Sequence, residues 1–271
     1  MIYDTFLYNG EKHILNLRVH ELYDVVDKFV VFESDTTFQG NPKPFFLNMD
    51  KDIPQKFHNK IQHIRYTPDV VKSNPWSNEE MQRNAIGKSL TNLYHNDIIL
   101  LSDVDEIPDQ TELQTIIQRG VNKPYTFYHN FYYFNVNVRS KRKWTGTHVF
   151  NYGNGELFNQ GFNNIRQMGF HQKCFTPVND TKNYSSGGWH FSNFGDADFI
   201  INKVESWSHT EVNKPEFKNK EYLQKCIKNG IDPFKSPDLF LEHIKETYLP
   251  KHVGVLPEEM RNEIDVTNTD H

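Results

Sequence analysis

Cysteine is nearly absent: Cys174 and Cys226 are the two in 271 residues. Without a CxxC pair or paired histidine spacing they make neither a disulfide framework nor a zinc site, and both are expected as reduced thiols. No apolar run approaches the roughly 20 residues that cross a bilayer, so no membrane span is expected. A cationic surplus is also missing. Thirty Lys and Arg against 35 Asp and Glu give a formal net charge of −5, which disfavours a nucleic-acid partner. The opening MIYDTFLYNGEKH has no basic segment followed by an apolar one, so no secretory signal is read and a cytoplasmic location is expected. Alanine occurs twice, at Ala85 and Ala197, while Asn, Lys, Phe, Ile and Tyr abound, the bias that AT-rich coding DNA imposes.

What is present is enough chain, 32.1 kDa, to bury a sizeable core. With no low-complexity linker, charge block or repeat, residues 1–256 are expected as a single domain and 257–271 as a frayed tail. Residues 3–8 read as a strand, and Leu15, Val19, Leu22 and Val26 mark the helix after it. KFVVFE at 28–33 and DIILL at 97–101 read as buried strands. Between them Ser77 and Glu80 form a capping box for a helix reaching Tyr94, and Pro108 opens another that Gly120 ends. This alternation predicts an α/β fold: a mixed, mostly parallel central sheet flanked by helices. Residues 125–137 and 144–152 are expected to add antiparallel strands, with the aromatic run YTFYHNFYYF at 125–134 mainly core. Helical faces over 199–207, 222–228 and 239–248 predict a helical C-terminal region.

The chemistry concentrates in SDVDEIP at 102–108, directly after an apolar strand. Side chains alternate along a strand, so Asp103 and Asp105 are expected on one side, sharing a ligand. Ligands of open α/β sheets bind beyond the carboxyl ends of strands, and two carboxylates there suit a hard divalent cation, Mn²⁺ or Mg²⁺. Such an ion serves transfer of a group from a nucleotide diphosphate, where charge grows on the leaving phosphates. The competing reading is a turn whose solvated acids cap the following helix. Glu33 and Ser34, ending the second strand, are candidates to touch the nucleotide or are strand-end groups facing water. Arg83 is a candidate diphosphate or nucleotide contact or a solvated helix arginine. Trp189 is a candidate sugar-stacking side chain.

SDVDEIP, DTFLYNGE at 4–11, ELYDVVDKFVVFES at 21–34, GGWHFSNFG at 187–195 and SWSHTE at 206–211 together resemble glycosyltransferase family 17. That family comprises β-1,4-N-acetylglucosaminyltransferases that add the bisecting residue to N-glycans, and the resemblance runs from about residue 3 to about residue 230. It implies a GT-A-type fold, a UDP-N-acetylglucosamine donor, a glycan acceptor, a Mn²⁺-type cofactor and inversion at the anomeric carbon. His190, after two glycines, is then a candidate metal or phosphate ligand, with His209 its rival. Inversion needs a carboxylate base: Asp180 and Glu156 rank ahead of Glu106, and Glu211 is a further candidate. Cellular members of that family carry a membrane anchor and stem, and none is expected from this sequence, so a free oligosaccharide, a lipid-linked sugar or a surface glycan is the expected acceptor. A nucleotide-sugar hydrolase and a non-catalytic glycan-binding module are the alternatives. Oligomeric state is not legible.

Overall fold

The computed structural model describes residues 1–171, 173–179, 187–244 and 248–261. Strands β1 (Ile2–Leu7), β2 (Lys28–Ser34), β3 (Ile61–Tyr66) and β4 (Ile98–Asp103) form a parallel block in the order β4-β1-β2-β3. β4, β1 and β2 are buried on both faces, as strands covered by helices on each side must be. Helix α1 (Lys12–Leu22) links β1 to β2, the short α2 (Met49–Asp52) lies between β2 and β3, and α3 (Pro75–Ser89) leads back to β4.

Beyond β4 the chain turns through β5 (Glu106–Pro108) and α4 (Gln110–Arg119) into β6 (Tyr125–Tyr133), β7 (Asn135–Ser140) and β8 (Trp144–Asn151). These pair antiparallel, with β8 inserted between β6 and β4. Helices α5 (Gly155–Phe158) and α6 (Phe162–Phe170), strands β9 (Thr176–Val178) and β10 (Gly188–Ser192), helices α7 (Ala197–Ser206) and α8 (Lys220–Asn229), strand β11 (Leu241–His243) and helix α9 (Glu258–Arg261) complete the chain.

Alternation along β4 divides the core. Leu100 packs with α1 and α4 through Leu15, Leu17, Leu113 and Ile116, whereas Ile99 and Leu101 pack with α3 and α6 through Ile86, Phe162 and Ile165. A third cluster joins β6 and β7 to α7 and α8 through Phe131, Val138, Ile200 and Leu223. The aromatic run of β6 is largely buried, as its core reading requires.

Four local expectations change. Helix α3 is capped by Asn74, whose side chain accepts from the Trp76 N–H at 3.0 Å, not by Ser77. Pro75 explains the shift, because its fixed φ and missing N–H suit the first helical position. The helix ends at Ser89 rather than near Tyr94. Residues 241–243 are strand rather than helix, since the edge of β7 offers backbone groups that pair Leu241 with Ser140 and His243 with Val138. The expected tail begins ordered: α9 buries Met260 against the main cluster beside Leu256.

Candidate active site

The parallel strands deliver their carboxyl ends to one edge, and β4 reaches it with Asp103. The strand stops there, so Val104 and Asp105 lie in a turn and the alternation that would align the two acids is broken. The turn is fixed from below by Arg18, which is fully buried. Its guanidinium donates to the Asp103, Val104 and Glu106 carbonyls at 3.1, 3.2 and 2.7 Å and to Ser102 Oγ at 2.7 Å. Asp4 on β1 accepts its remaining donors at 2.6 and 2.8 Å.

Asp103 and Asp105 enter separate ion-pair networks. Asp103, 35% exposed, accepts from Arg83 on α3 and from Arg166 on α6, each at 2.7 Å. Arg83 also bonds Glu79 at 2.8 Å, and Glu79 accepts the Ser208 hydroxyl. Arg166 continues to both carboxylate oxygens of Glu106 at 2.7 and 2.8 Å. Glu106 is fully buried and also accepts from Trp144 Nε1 at 2.6 Å and the Asp103 N–H at 2.9 Å. Burial opposes its ionised form, but Arg166, helped by His190 and the Asp103 N–H, holds the carboxyl well below the usual range.

Asp105 faces Lys203 Nζ of α7 at 3.4 Å and His190 Nε2 of β10 at 3.5 Å. Burial again opposes the charge, and Lys203 followed by His190 overcomes it, bringing Asp105 down to about 2. The His190 ring stacks on Phe131 at 4.7 Å and packs against Trp144 at 4.6 Å. Its Nδ1 is buried without a hydrogen-bond partner among the described residues.

Beside this turn, past the ends of β1 and β2, lies a cavity of about 390 Å³ lined by Asn9, Glu11, Lys43, Phe46, Phe199 and Lys203, among others. Its volume falls in the range of small-ligand pockets. Helix α7 is one wall, tied to the β1 loop by Asn9 Nδ2 donating to Ser206 Oγ at 2.8 Å. Burial raises the Glu11 carboxyl above its ordinary value. Lys203 therefore connects the cavity to Asp105.

A model of glycosyltransferase family 17 matches residues 1–246. The chain belongs to glycosyltransferase family 17. The human and rat enzymes called β-1,4-mannosyl-glycoprotein 4-β-N-acetylglucosaminyltransferase are each 29% identical over 129 residues, 44% of this chain. That match covers 24% of each of those proteins, so the chain spans about a quarter of the length of the curated relatives it matches. Among solved structures, 4-diphosphocytidyl-2C-methyl-D-erythritol synthase from Anaerococcus prevotii aligns at a TM-score of 0.40 and 10% identity, covering 76% of this chain and 97% of that one. No helix among the described residues is long and apolar enough to cross a membrane.

The family motifs distribute unevenly around the site. His190, Asp105, Asp103 and Arg83 gather at the carboxyl edge. Trp189 does not: alternation on β10 sends it into the core, 2% exposed, with Nε1 donating to the Tyr248 carbonyl at 2.6 Å. The glycines before it serve strand packing, since a Cβ on Gly187 or Gly188 would lie 2.1 or 2.2 Å from the Tyr128 or Ile107 carbonyl oxygen. Glu33 is sealed under the loop after β2, accepting from the Phe46 and Leu47 N–H groups and lying 2.9 Å from His63 Nε2. Ser34 Oγ accepts from the Thr36 N–H at 3.2 Å and shapes the turn there. His209 is 49% exposed, lies 2.6 Å from Glu211 and packs on Trp76 and Trp207, with no contact to Asp105.

Two base candidates are displaced. Glu156 is exposed on α5, which follows β8; Asn151 pairs with Ile98 at the start of β4, so α5 emerges at the opposite edge, about 17 Å away along the strand. Glu106 is closed off by four donors and supports the turn. Asp180 lies outside the described residues. Sequence reading missed Arg18, Arg166, Lys203 and Lys43. A signal existed for Arg18, a charged residue on the apolar face of α1 between Leu15 and Leu22, and for Asp4 in an apolar strand. Arg166 and Lys203 reach the site only through tertiary packing.

The side chains fit a divalent cation from one side. Asp105 presents an ionised carboxylate with His190 Nε2 3.5 Å away, and Lys203 and His190 both approach its Oδ2 rather than its Oδ1. Asp103 fits less well, because both of its oxygens are taken by guanidinium groups. No group of three or more His, Cys, Asp and Glu side chains placed to hold a metal ion exists among the described residues.

Proposed function

We propose that this chain transfers N-acetylglucosamine from UDP-N-acetylglucosamine to a hydroxyl of a glycan, with inversion, on a GT-A-type scaffold. One observation carries the reading: Lys203 joins a nucleotide-sized cavity at the ends of β1 and β2 to Asp105, where it stands 3.4 Å from the carboxylate. The nucleotide occupies the cavity, and its diphosphate lies toward Lys203. Asp105 and His190 are the residues to hold Mn²⁺ or Mg²⁺, with water and phosphate oxygens filling the remaining positions. Bound there, the ion supplies Lewis-acid stabilisation of charge on the departing diphosphate.

Chain residues do the rest. Arg83, Arg166 and Arg18 hold the turn rigid, so Asp105 and Lys203 need no reorganisation as negative charge grows on the leaving group. The acceptor oxygen bonds to the anomeric carbon as the bond to the UDP oxygen breaks, and the acceptor proton passes to a carboxylate. Asp180 is the proposed base, since Glu156 lies at the opposite edge and Glu106 is closed off by its four donors. UDP release from UDP-N-acetylglucosamine tests the reading. Release proportional to an added glycan acceptor is expected; release unaffected by any acceptor identifies a hydrolase and sinks the transferase.

A further inference from the structure

Lys43 is a buried amine without a hydrogen-bond partner. Its side chain is 9% exposed, it borders the cavity at the end of β2, and no acceptor among the described residues lies within hydrogen-bond reach of Nζ. Buried polar groups are almost always satisfied, so such a donor on a cavity wall marks a place where a ligand supplies the acceptor.

The surroundings say which kind of acceptor. Glu33 Oε1 lies 3.8 Å from Nζ, so a carboxylate already compensates the lysine's charge. That carboxylate is pinned in place by the Phe46 and Leu47 N–H groups and His63, too far from Nζ for a hydrogen bond, so Lys43 keeps N–H donors for a neutral oxygen. Nζ also stands 4.7 Å from the centroid of the Phe46 ring, and that side chain, 45% exposed, is a flat surface on the same wall. An aromatic face beside a compensated donor suits a planar base with a ring carbonyl. The other lysine of the cavity, Lys203, adjoins Asp105, where the reading above places the cation and the diphosphate, so the base belongs at the Lys43 end.

Resting on the nucleotide reading above, we infer that Lys43 donates to the 4-keto oxygen of the donor's uracil while Phe46 packs on the ring face, making Lys43 the residue that selects uracil over cytosine. Cytosine presents an amino group where uracil carries its 4-keto oxygen, and a donor facing a donor leaves both unpaired. Burial, which lowers the Lys43 amine below its usual range, is consistent with a site finished by the ligand.

The test is calorimetric titration of UDP, CDP and uridine against wild type, Lys43→Met and Lys43→Gln, with melting curves to establish that each is folded. Wild type is expected to bind UDP at least about tenfold tighter than CDP. Lys43→Met removes that preference by weakening UDP and uridine together while leaving CDP within about twofold, and Lys43→Gln, keeping an N–H donor, retains part of it. An unchanged UDP-to-CDP ratio in Lys43→Met overturns the inference and leaves the nucleotide reading intact. So does equal loss of UDP and CDP with uridine unaffected, which would make Lys43 a phosphate contact. Absence of binding by UDP and CDP alike in folded wild type overturns the nucleotide reading and the inference with it.

Discussion

Five charged residues around one turn divide into two groups with different work. Lys203 lines the cavity and pairs with Asp105, whereas Arg166 and Arg18 both bond Glu106, and these three line no part of it. Asp105→Asn is expected to lower turnover about 10³-fold, about 4 kcal/mol of transition-state stabilisation, with little change in melting temperature. Arg166→Met is expected to do the reverse in kind. It strands the buried Glu106 carboxylate and costs about 3–5 kcal/mol of stability, read from urea unfolding. An Asp105→Asn enzyme with wild-type turnover, or an Arg166→Met protein of unchanged stability, contradicts this division. At this scale the sequence revealed that acids follow β4 and that a histidine follows the paired glycines. It could not reveal that Asp103 belongs to two arginines, because those arginines arrive from α3 and α6, 20 and 63 residues away in sequence.

Strands β6 and β8 enclose two histidines at the back of the site. His129 has neither ring nitrogen bonded among the described residues, and His148 lies 2.8 Å from Thr126 Oγ1 through Nδ1 alone. Burial, ahead of any neighbouring charge, lowers both to about 3 from an ordinary 6.5. Below pH 6.5 the unfolded chain therefore takes up protons that the folded protein refuses, and stability falls with pH down to about 3. The slope is about 1.4 kcal/mol per pH unit for each histidine. Urea midpoints measured between pH 7.5 and 5 are expected to be level above pH 6.5 and to drop below it, with a shallower drop in His148→Gln. A profile that is flat to pH 5 contradicts their burial as neutral groups. Element identity was legible where pattern and burial coincide: KFVVFE and DIILL are apolar enough to declare a covered strand. β11 was not, because three residues carry no period and become strand only by meeting the edge of β7.

The whole molecule joins a parallel block, which presents loop ends to a ligand, to an antiparallel extension that brings in His190 and Trp144. β10 is the hinge of that union, pairing antiparallel with β5 and parallel with β6 so that His190 lies opposite both Glu106 and Phe131. Alternating strands and helices foretold the first half, but no periodicity foretells a strand shared between two partners. Residues 256–261 also belong to the body. With Met260 and Leu256 in the main core, Met260→Asp is expected to lower the melting temperature by several degrees, where a frayed segment would leave it unchanged.

The central claim is that the cavity beside Asp105 receives a nucleoside diphosphate whose phosphates meet Lys203. Calorimetric titration of UDP into wild type, Asp105→Asn and Lys203→Met, each with Mn²⁺ and with EDTA, tests it most directly. The account predicts that wild type binds UDP more tightly with Mn²⁺ than with EDTA, that Asp105→Asn erases the difference, and that Lys203→Met weakens binding about tenfold in both conditions. UDP affinity untouched by either substitution, in proteins that melt like wild type, would contradict it.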